Sequence, residues 1–391
     1  MKKLFSLLLT AAISLSALSG LTAHAEEADP FAGKSTINIV YLGGSITQGA
    51  GVSDKTKTWV SRISNYFKGK YADKTVNNYN VGIGGTGSDM GIMRLERDVL
   101  SKNPDYVFVE FAVNDIGKAS AVRNMESIVQ SLNSLKNVPY VTFVYTAKYN
   151  SSKQALENNS AAHQTVADYY GIPVVDMKPA LEDAILSTGT MEDTDNVKHW
   201  LVDLTHPTEY GYDVYTRCIE NALESGSYYV RPQTKTEKLD INSYPMSTKW
   251  VSADSATADG TWTKNNHASY GVGYASMNAG DTLEYTFSGP VFGLQHRISK
   301  TGGMYNLAID GKSVGDINTY YRGITTQGVL GYQNFNLGAG EHRVKITVLD
   351  SADERVEKGA QTSVAFDYFV SEKAPASAKL INENYATCDF K

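Results

Sequence analysis

Ser45 stands after two glycines at the end of an apolar run, Ile37 to Leu42. Far along the chain, Asp203-Leu204-Thr205-His206 sets a carboxylate three residues before an imidazole. A serine hydroxyl is a weak nucleophile until a base takes its proton, and a histidine does so best when an acid fixes its tautomer and steadies its charged form. Attack on a carbonyl makes an oxyanion, which needs donors aimed at it. The Ser45 N–H, the Gly85 N–H and the Asn114 side-chain amide are three candidates, and glycine at 85 lets the backbone approach closely. The chemistry these types suggest is acyl transfer. The order Ser…Asp…His is a known one, but residue 47 is Thr, so the Gly-x-Ser-x-Gly elbow of ordinary α/β-hydrolases is not met.

Elements must bring these segments together. Val76 to Val81, Tyr106 to Val113, Tyr140 to Tyr145 and Pro173 to Val175 continue the strand pattern begun at Ile37. Thr58–Lys68, Asp89–Leu100, Val122–Leu135 and Lys153–Tyr170 carry helical periodicity, and Pro207 opens a last helix reaching Leu223. Strands alternating with helices, and apolar on both faces, predict a parallel sheet covered on both sides. In such sheets ligands bind beyond the C-terminal strand ends. Gly43-Gly44-Ser45, Gly82-Ile83-Gly84-Gly85-Thr86, Ala112-Val113-Asn114-Asp115 and the Asp203–His206 turn all fall at that edge.

These segments resemble the four blocks of the SGNH (GDSL-like) hydrolases. Gly43-Gly44-Ser45 is similar to the nucleophile block, Gly85 to the second-block glycine, Asn114 to the third-block asparagine, and Asp203-Leu204-Thr205-His206 to the final Asp-x-x-His block. The third block usually begins with Gly; here it is Ala112. The resemblance covers about residues 36–225. It implies a flavodoxin-like three-layer α/β/α fold, ester hydrolysis without a cofactor, Ser45 as nucleophile, His206 as base and Asp203 behind it, with Ser45, Gly85 and Asn114 forming the oxyanion hole. Gly44, His199 and Trp200 are candidates for the pocket lining, the last two equally for packing of their loop. Asp115 is expected to support Asn114.

Gly82-Ile83-Gly84-Gly85-Thr86-Gly87 also fits a dinucleotide fingerprint, with Glu110 as its acid. Core residues Val107 to Phe111 surround Glu110, which disfavours that reading. His163, His267, His296 and His342 lack metal-ligand spacing, so no metal is expected. Lys2 and Lys3, the apolar stretch Leu4 to Leu18 and Ala23-His24-Ala25 form a signal-peptide pattern, with cleavage after residue 25 and an extracellular or periplasmic destination. Cleavage removes two lysines and no acid, taking the net charge from −6 to −8. An acidic mature chain is a poor partner for nucleic acid or anionic membrane surfaces. Cys218 and Cys388 allow one disulfide at most.

Near Gly226 the pattern changes. Residues 228–238 are polar and read as a linker between a catalytic domain, 34–227, and a domain of alternating strands, 239–372, followed by a tail, 373–391. Leu283–Phe287, Phe292–Ile298, Asn306–Ile309, His342–Leu349 and Ser363–Val370 are its strands, and Asp310-Gly311 a hairpin turn. An all-β sandwich follows. Ala308-Ile309-Asp310-Gly311-Lys312, Leu337-Gly338-Ala339-Gly340-Glu341-His342 and Phe366-Asp367-Tyr368 resemble carbohydrate-binding modules of the galactose-binding-like jelly-roll type, with Trp250, Trp262, Tyr320 and Tyr321 able to stack on sugars or fill the sandwich. The combined expectation is an exported esterase removing acetyl groups from a polysaccharide. The alternatives are a lipid esterase or thioesterase of the same family, and a non-catalytic polysaccharide-binding protein.

Overall fold

The computed structural model describes residues 29–267, 271–323 and 326–381. The signal-peptide segment and Cys388 lie outside them. From Lys34 onward the described residues form one compact unit.

The chain begins β1 (Thr36–Gly43), α1 (Ser45–Gln48), α2 (Trp59–Lys70), β2 (Thr75–Gly82), α3 (Ser88–Met93), α4 (Leu95–Asp98) and β3 (Tyr106–Glu110). It continues through α5 (Ala121–Asn133), β4 (Tyr140–Tyr145), a hairpin of β5 (Lys148–Asn150) and β6 (Ala155–Glu157), α6 (Ser160–Tyr170), β7 (Val174–Asp176), α7 (Lys178–Thr188), α8 (Thr194–Trp200) and α9 (Glu209–Glu224). The sheet order is β2-β1-β3-β4-β7, all parallel. This is the flavodoxin-like order, whose switch point lies between β1 and β3. Every residue of β3 and β4 is buried, as double coverage by helices requires.

Two expected helices are cut short. Asp89–Leu100 breaks at Arg94, whose backbone leaves the helical region between α3 and α4. Its fully buried guanidinium turns to the carbonyls of Gly43 and Val81. In Lys153–Tyr170 the first part forms the hairpin's second strand, and α6 starts only at Ser160. Pro207 stays outside α9 because it bridges to Leu201; Thr208 caps the helix by accepting from the Gly211 N–H. Two short helices, α7 and α8, occupy a stretch the sequence pattern leaves blank.

Residues 228–240 run against the α/β layers. The Val141 N–H donates to the Val230 carbonyl at 3.1 Å, and the Leu239 and Asp240 N–H groups both donate to the buried Glu126 carboxylate at 2.8 Å. Beyond them lies an antiparallel domain: β8 (Lys249–Ser252), β9 (Thr257–Asp259), β10 (Thr263–His267), β11 (Gly271–Ser276), β12 (Thr282–Ile298), β13 (Gly303–Ile309), β14 (Lys312–Asn318), β15 (Gln327–Asn334), β16 (Glu341–Ala352) and β17 (Val364–Lys373). The two expected strands around Pro290 are the single strand β12, with register shifts accommodating the proline. Its own core gathers Leu283, Phe287, Leu294, Leu307, Ile346 and Phe366. Trp250, a candidate sugar platform, is buried, with its ring under the Arg97 guanidinium at 3.7 Å. Trp262 is partly buried and packs against the sandwich core, its ring tilted at 6.2 Å from Phe366.

Candidate active site

The Gly43-Gly44-Ser45 segment turns sharply from β1 into α1. A methyl group added at Gly44 would lie 2.5 Å from Asn114 Oδ1 and 3.2 Å from the Thr86 carbonyl oxygen. Only glycine lets the first and third segments close this tightly, and the same contact draws in the second. The β2 loop is tied to α1 by the Gly84 N–H donating to Gln48 Oε1 at 3.0 Å. Gly85 itself takes φ +72°, a left-handed conformation that favours glycine, and faces open space. Ser45 and Asn114 are half-buried. Among the described residues neither the Ser45 N–H, the Gly85 N–H nor the Asn114 amide is engaged in a hydrogen bond.

The fourth segment closes on Ser45 from the other end of the domain. His206 Nε2 lies 2.8 Å from Ser45 Oγ, and His206 Nδ1 lies 2.7 Å from Asp203 Oδ2. Asp203 Oδ1 accepts the backbone N–H groups of His206 at 2.8 Å and Thr205 at 3.1 Å. The turn that permits this holds Leu204 at φ +67°, a left-handed position costly to a residue with a Cβ. The Tyr149 N–H fixes it by donating to the Leu204 carbonyl at 2.7 Å. Burial pushes the Asp203 carboxyl up, but the His206 N–H, the imidazole and the Thr205 N–H outweigh it and hold the group below its ordinary value. Asp203 is therefore an anion facing an imidazole N–H.

Asp115 is buried behind Asn114. It accepts the Ser88 N–H at 3.0 Å and lies 3.0 Å from His163 Nε2, with Lys118 3.7 Å away. His199 and Trp200 sit at the end of α8. The His199 ring stacks on Tyr210 at 4.5 Å, Trp200 Nε1 donates to Thr188 Oγ1, and their carbonyls accept the Thr208 hydroxyl and N–H. They pack the corner that launches α9. No hydrogen bond or ring contact joins them to Ser45 or His206 among the described residues.

Several residues of the site carry no mark in the sequence. Arg94 pins the ends of β1 and β2. The Tyr212 hydroxyl donates to the carbonyls of Ile46 and Ala50, holding the turn after Ser45. Glu110 does not face outward as the dinucleotide reading requires. It is fully buried, accepting the hydroxyls of Thr47 and Thr146. Among the described residues no group of His, Cys, Asp and Glu is arranged to hold a metal ion.

A model of the GDSL-like lipase/acylhydrolase family matches residues 41–214. The match falls within the α/β half and spans the segments that carry Ser45, Gly85, Asn114, Asp203 and His206. Over the whole chain, two solved structures are similar. One is a two-domain esterase active on acetylated mannans, co-crystallised with mannopentaose; it is 21% identical, with TM-score 0.70, covering 87% of this chain and 92% of that one. The other is a two-domain esterase of the same description without the sugar, at 20% identity and TM-score 0.67 over the same shares. At such identities the likeness is one of fold, and it extends through both halves. No curated protein matches the sequence. The α/β half places Ser45, Gly85, Asn114 and the Asp203–His206 turn at one sheet edge, as the four-segment spacing predicts.

Proposed function

We propose that this protein is a serine esterase that removes O-acetyl groups from a polysaccharide, working outside the cytoplasm. The observation that carries the reading is the chain of contacts Ser45 Oγ to His206 Nε2, 2.8 Å, and His206 Nδ1 to Asp203 Oδ2, 2.7 Å, on a GDSL-like domain. His206 takes the Ser45 proton as Oγ attacks the acyl carbon. The tetrahedral oxyanion is received by the N–H groups of Ser45 and Gly85 and by Asn114 Nδ2. Its collapse breaks the bond to the sugar oxygen, which takes the proton from His206 and leaves as a hydroxyl. Water, activated by the same imidazole, then releases acetate from acyl-Ser45. Asp203 stays ionised throughout, keeping the proton on Nδ1 so that Nε2 is the basic nitrogen.

Carbohydrate as the substrate draws support from the fold shared with the acetyl-mannan esterase and from the second domain. The export pattern at residues 1–25 agrees with a polymer met outside the cell. Acetate release from acetylated mannan, xylan, pectin and amino-sugar glycans tests the proposal, with Ser45→Ala as control. Expected is turnover on at least one of these and none in the variant. Unchanged turnover in Ser45→Ala, or strong preference for long acyl chains on p-nitrophenyl esters, would overturn it.

A further inference from the structure

Glu110 is the last residue of β3, opposite Gly43 in register, and the chemistry above makes no use of it. Its Oε2 accepts the Thr47 hydroxyl at 2.9 Å and its Oε1 the Thr146 hydroxyl at 2.7 Å. The backbone N–H groups of Gly44 and Thr47 donate to it as well. Those amides flank Ser45 on both sides. Gly44 has no side chain with which to cap α1. A carboxylate from a distant strand performs that task, at the end of the turn where negative charge is favoured. The Ser45 N–H is left out of this set and remains available to an oxyanion.

Among the described residues no Lys, Arg or His forms an ion pair with Glu110. Tyr212 and Tyr215 of α9 face it, both held neutral by burial. Arg94, close by at the strand end, is directed to the Gly43 and Val81 carbonyls and to Asp98.

Building on the esterase reading, we infer that Glu110 is a positioning residue for the nucleophile: its ionised carboxylate gathers the Gly44 and Thr47 amides, and so aims Ser45 Oγ at His206 and the Ser45 N–H at the oxyanion. All four groups around it are donors. A proton on Glu110 introduces a fifth, which only a threonine hydroxyl can turn to accept, and the carboxyl then holds the amides less firmly. Burial pushes the Glu110 carboxyl up from 4.5 to about 7, so this exchange falls near neutrality. Two groups must then lose a proton before attack: His206, to act as base, and Glu110, to hold the turn.

The test is kcat and kcat/KM against pH for wild type, E110Q, T47V and S45A on p-nitrophenyl acetate. Since kcat/KM reports ionisations of the free enzyme, the wild-type acid limb is expected to steepen beyond a slope of about one toward about two. E110Q keeps a limb of about one and loses about 10- to 100-fold in kcat, with KM changed by less than about threefold. T47V removes one donor but keeps the carboxylate; its loss is smaller and its limb stays steep. A wild-type limb of slope about one, or E110Q turnover within about threefold of wild type, overturns the inference. Should E110Q not fold, the wild-type slope and T47V decide. S45A separates the two claims. Turnover surviving in S45A sinks the esterase reading itself, whereas an inert S45A beside a normal E110Q removes only the role of Glu110.

Discussion

Asp203 makes different use of its two oxygens. Oδ1 is committed to two backbone N–H groups, and only Oδ2 is left for the imidazole. In Asp203→Asn the side-chain oxygen must stay with the peptide N–H groups, so the new NH2 faces His206 Nδ1. The ring is then held with its proton on Nε2, the wrong tautomer for receiving one from Ser45. The expected loss in kcat is about 10⁴-fold with folding preserved, read from steady-state hydrolysis beside a far-UV spectrum; a loss under about tenfold would contradict the assignment. In the proposed mechanism Asn114→Ala removes one oxyanion donor, and the expected cost is about 10²–10³ in kcat with little change in KM. Glu110 gives a stability prediction of opposite sign to its role in activity. Its folded-state value is raised from 4.5 to about 7, so the native protein keeps a proton that the unfolded chain releases. The stabilisation is complete below about 4.5 and disappears as pH rises through about 7. Urea midpoints of wild type and E110Q, compared at about pH 5 and about pH 8, should show wild type losing more on the alkaline side. Ser45, Asn114, Asp203 and His206 stand out in the sequence as candidates because each lies in a short segment with a recognisable neighbour. Arg94 does not stand out, and Glu110 does so only as the acid of a dinucleotide fingerprint, because they act on residues 51 and 63 positions away and only the strand register makes those meetings.

At the scale of elements, the break between α3 and α4 shows how the site overrides local periodicity. Asp89 to Leu100 has the spacing of one helix, but the backbone leaves the helical region at Arg94, the residue whose guanidinium reaches the Gly43 and Val81 carbonyls. Both carbonyls lie at the ends of parallel strands; the Ile83 N–H supplies Gly43 with one donor at 3.0 Å, Arg94 adds a second there and donates to Val81, and losing a donor from a buried acceptor is costly. Arg94→Met removes one donor from each carbonyl, leaving Gly43 with the Ile83 N–H alone, and takes one of its cations from the buried Asp98, although Arg97 remains bonded to it. The expected cost is about 3 kcal/mol in urea unfolding, with a larger fall in activity than the population of unfolded protein explains, because the Ser45 turn is anchored at Gly43. The parallel strands follow the sequence pattern more closely, since short runs rich in β-branched and aromatic residues favour strands; β3 is the exception, ending at Glu110 rather than Val113, because the chain leaves the sheet there to deliver Asn114. The short helices α7 and α8 leave little trace in the sequence, since seven to eleven residues give little periodicity, and their start signals are single residues, Pro179 and the Asp193 cap.

For the whole molecule, the two patterns of sequence suggest two domains joined by a linker, yet one core runs through both. Val40, Met93, Phe111 and Ile128 of the α/β half belong to the same buried cluster as Trp250, Val291, Phe335 and Val370 of the antiparallel half. The contact is close: a methyl added to Gly293 would lie 2.8 Å from Met93 Sδ. Trp250 Nε1 and the Thr248 hydroxyl donate to the Met93 carbonyl, satisfying the backbone where α3 ends. Hydrophobic patterning reveals that a residue is buried but not which half buries it, so this continuity was invisible before the fold was known. Halves that share a core should not melt separately. Calorimetry of the full chain is expected to give one transition whose calorimetric and van't Hoff enthalpies agree. Trp250→Ala, which empties the junction, should cost about 3–5 kcal/mol and lower the unfolding midpoint of the Ser45 domain together with that of the β domain, followed by tryptophan fluorescence and by loss of esterase activity. Two resolved transitions, with activity lost in only one of them and Trp250→Ala shifting the other alone, would mean that the junction is a contact between independent domains and that the antiparallel half does not support the site.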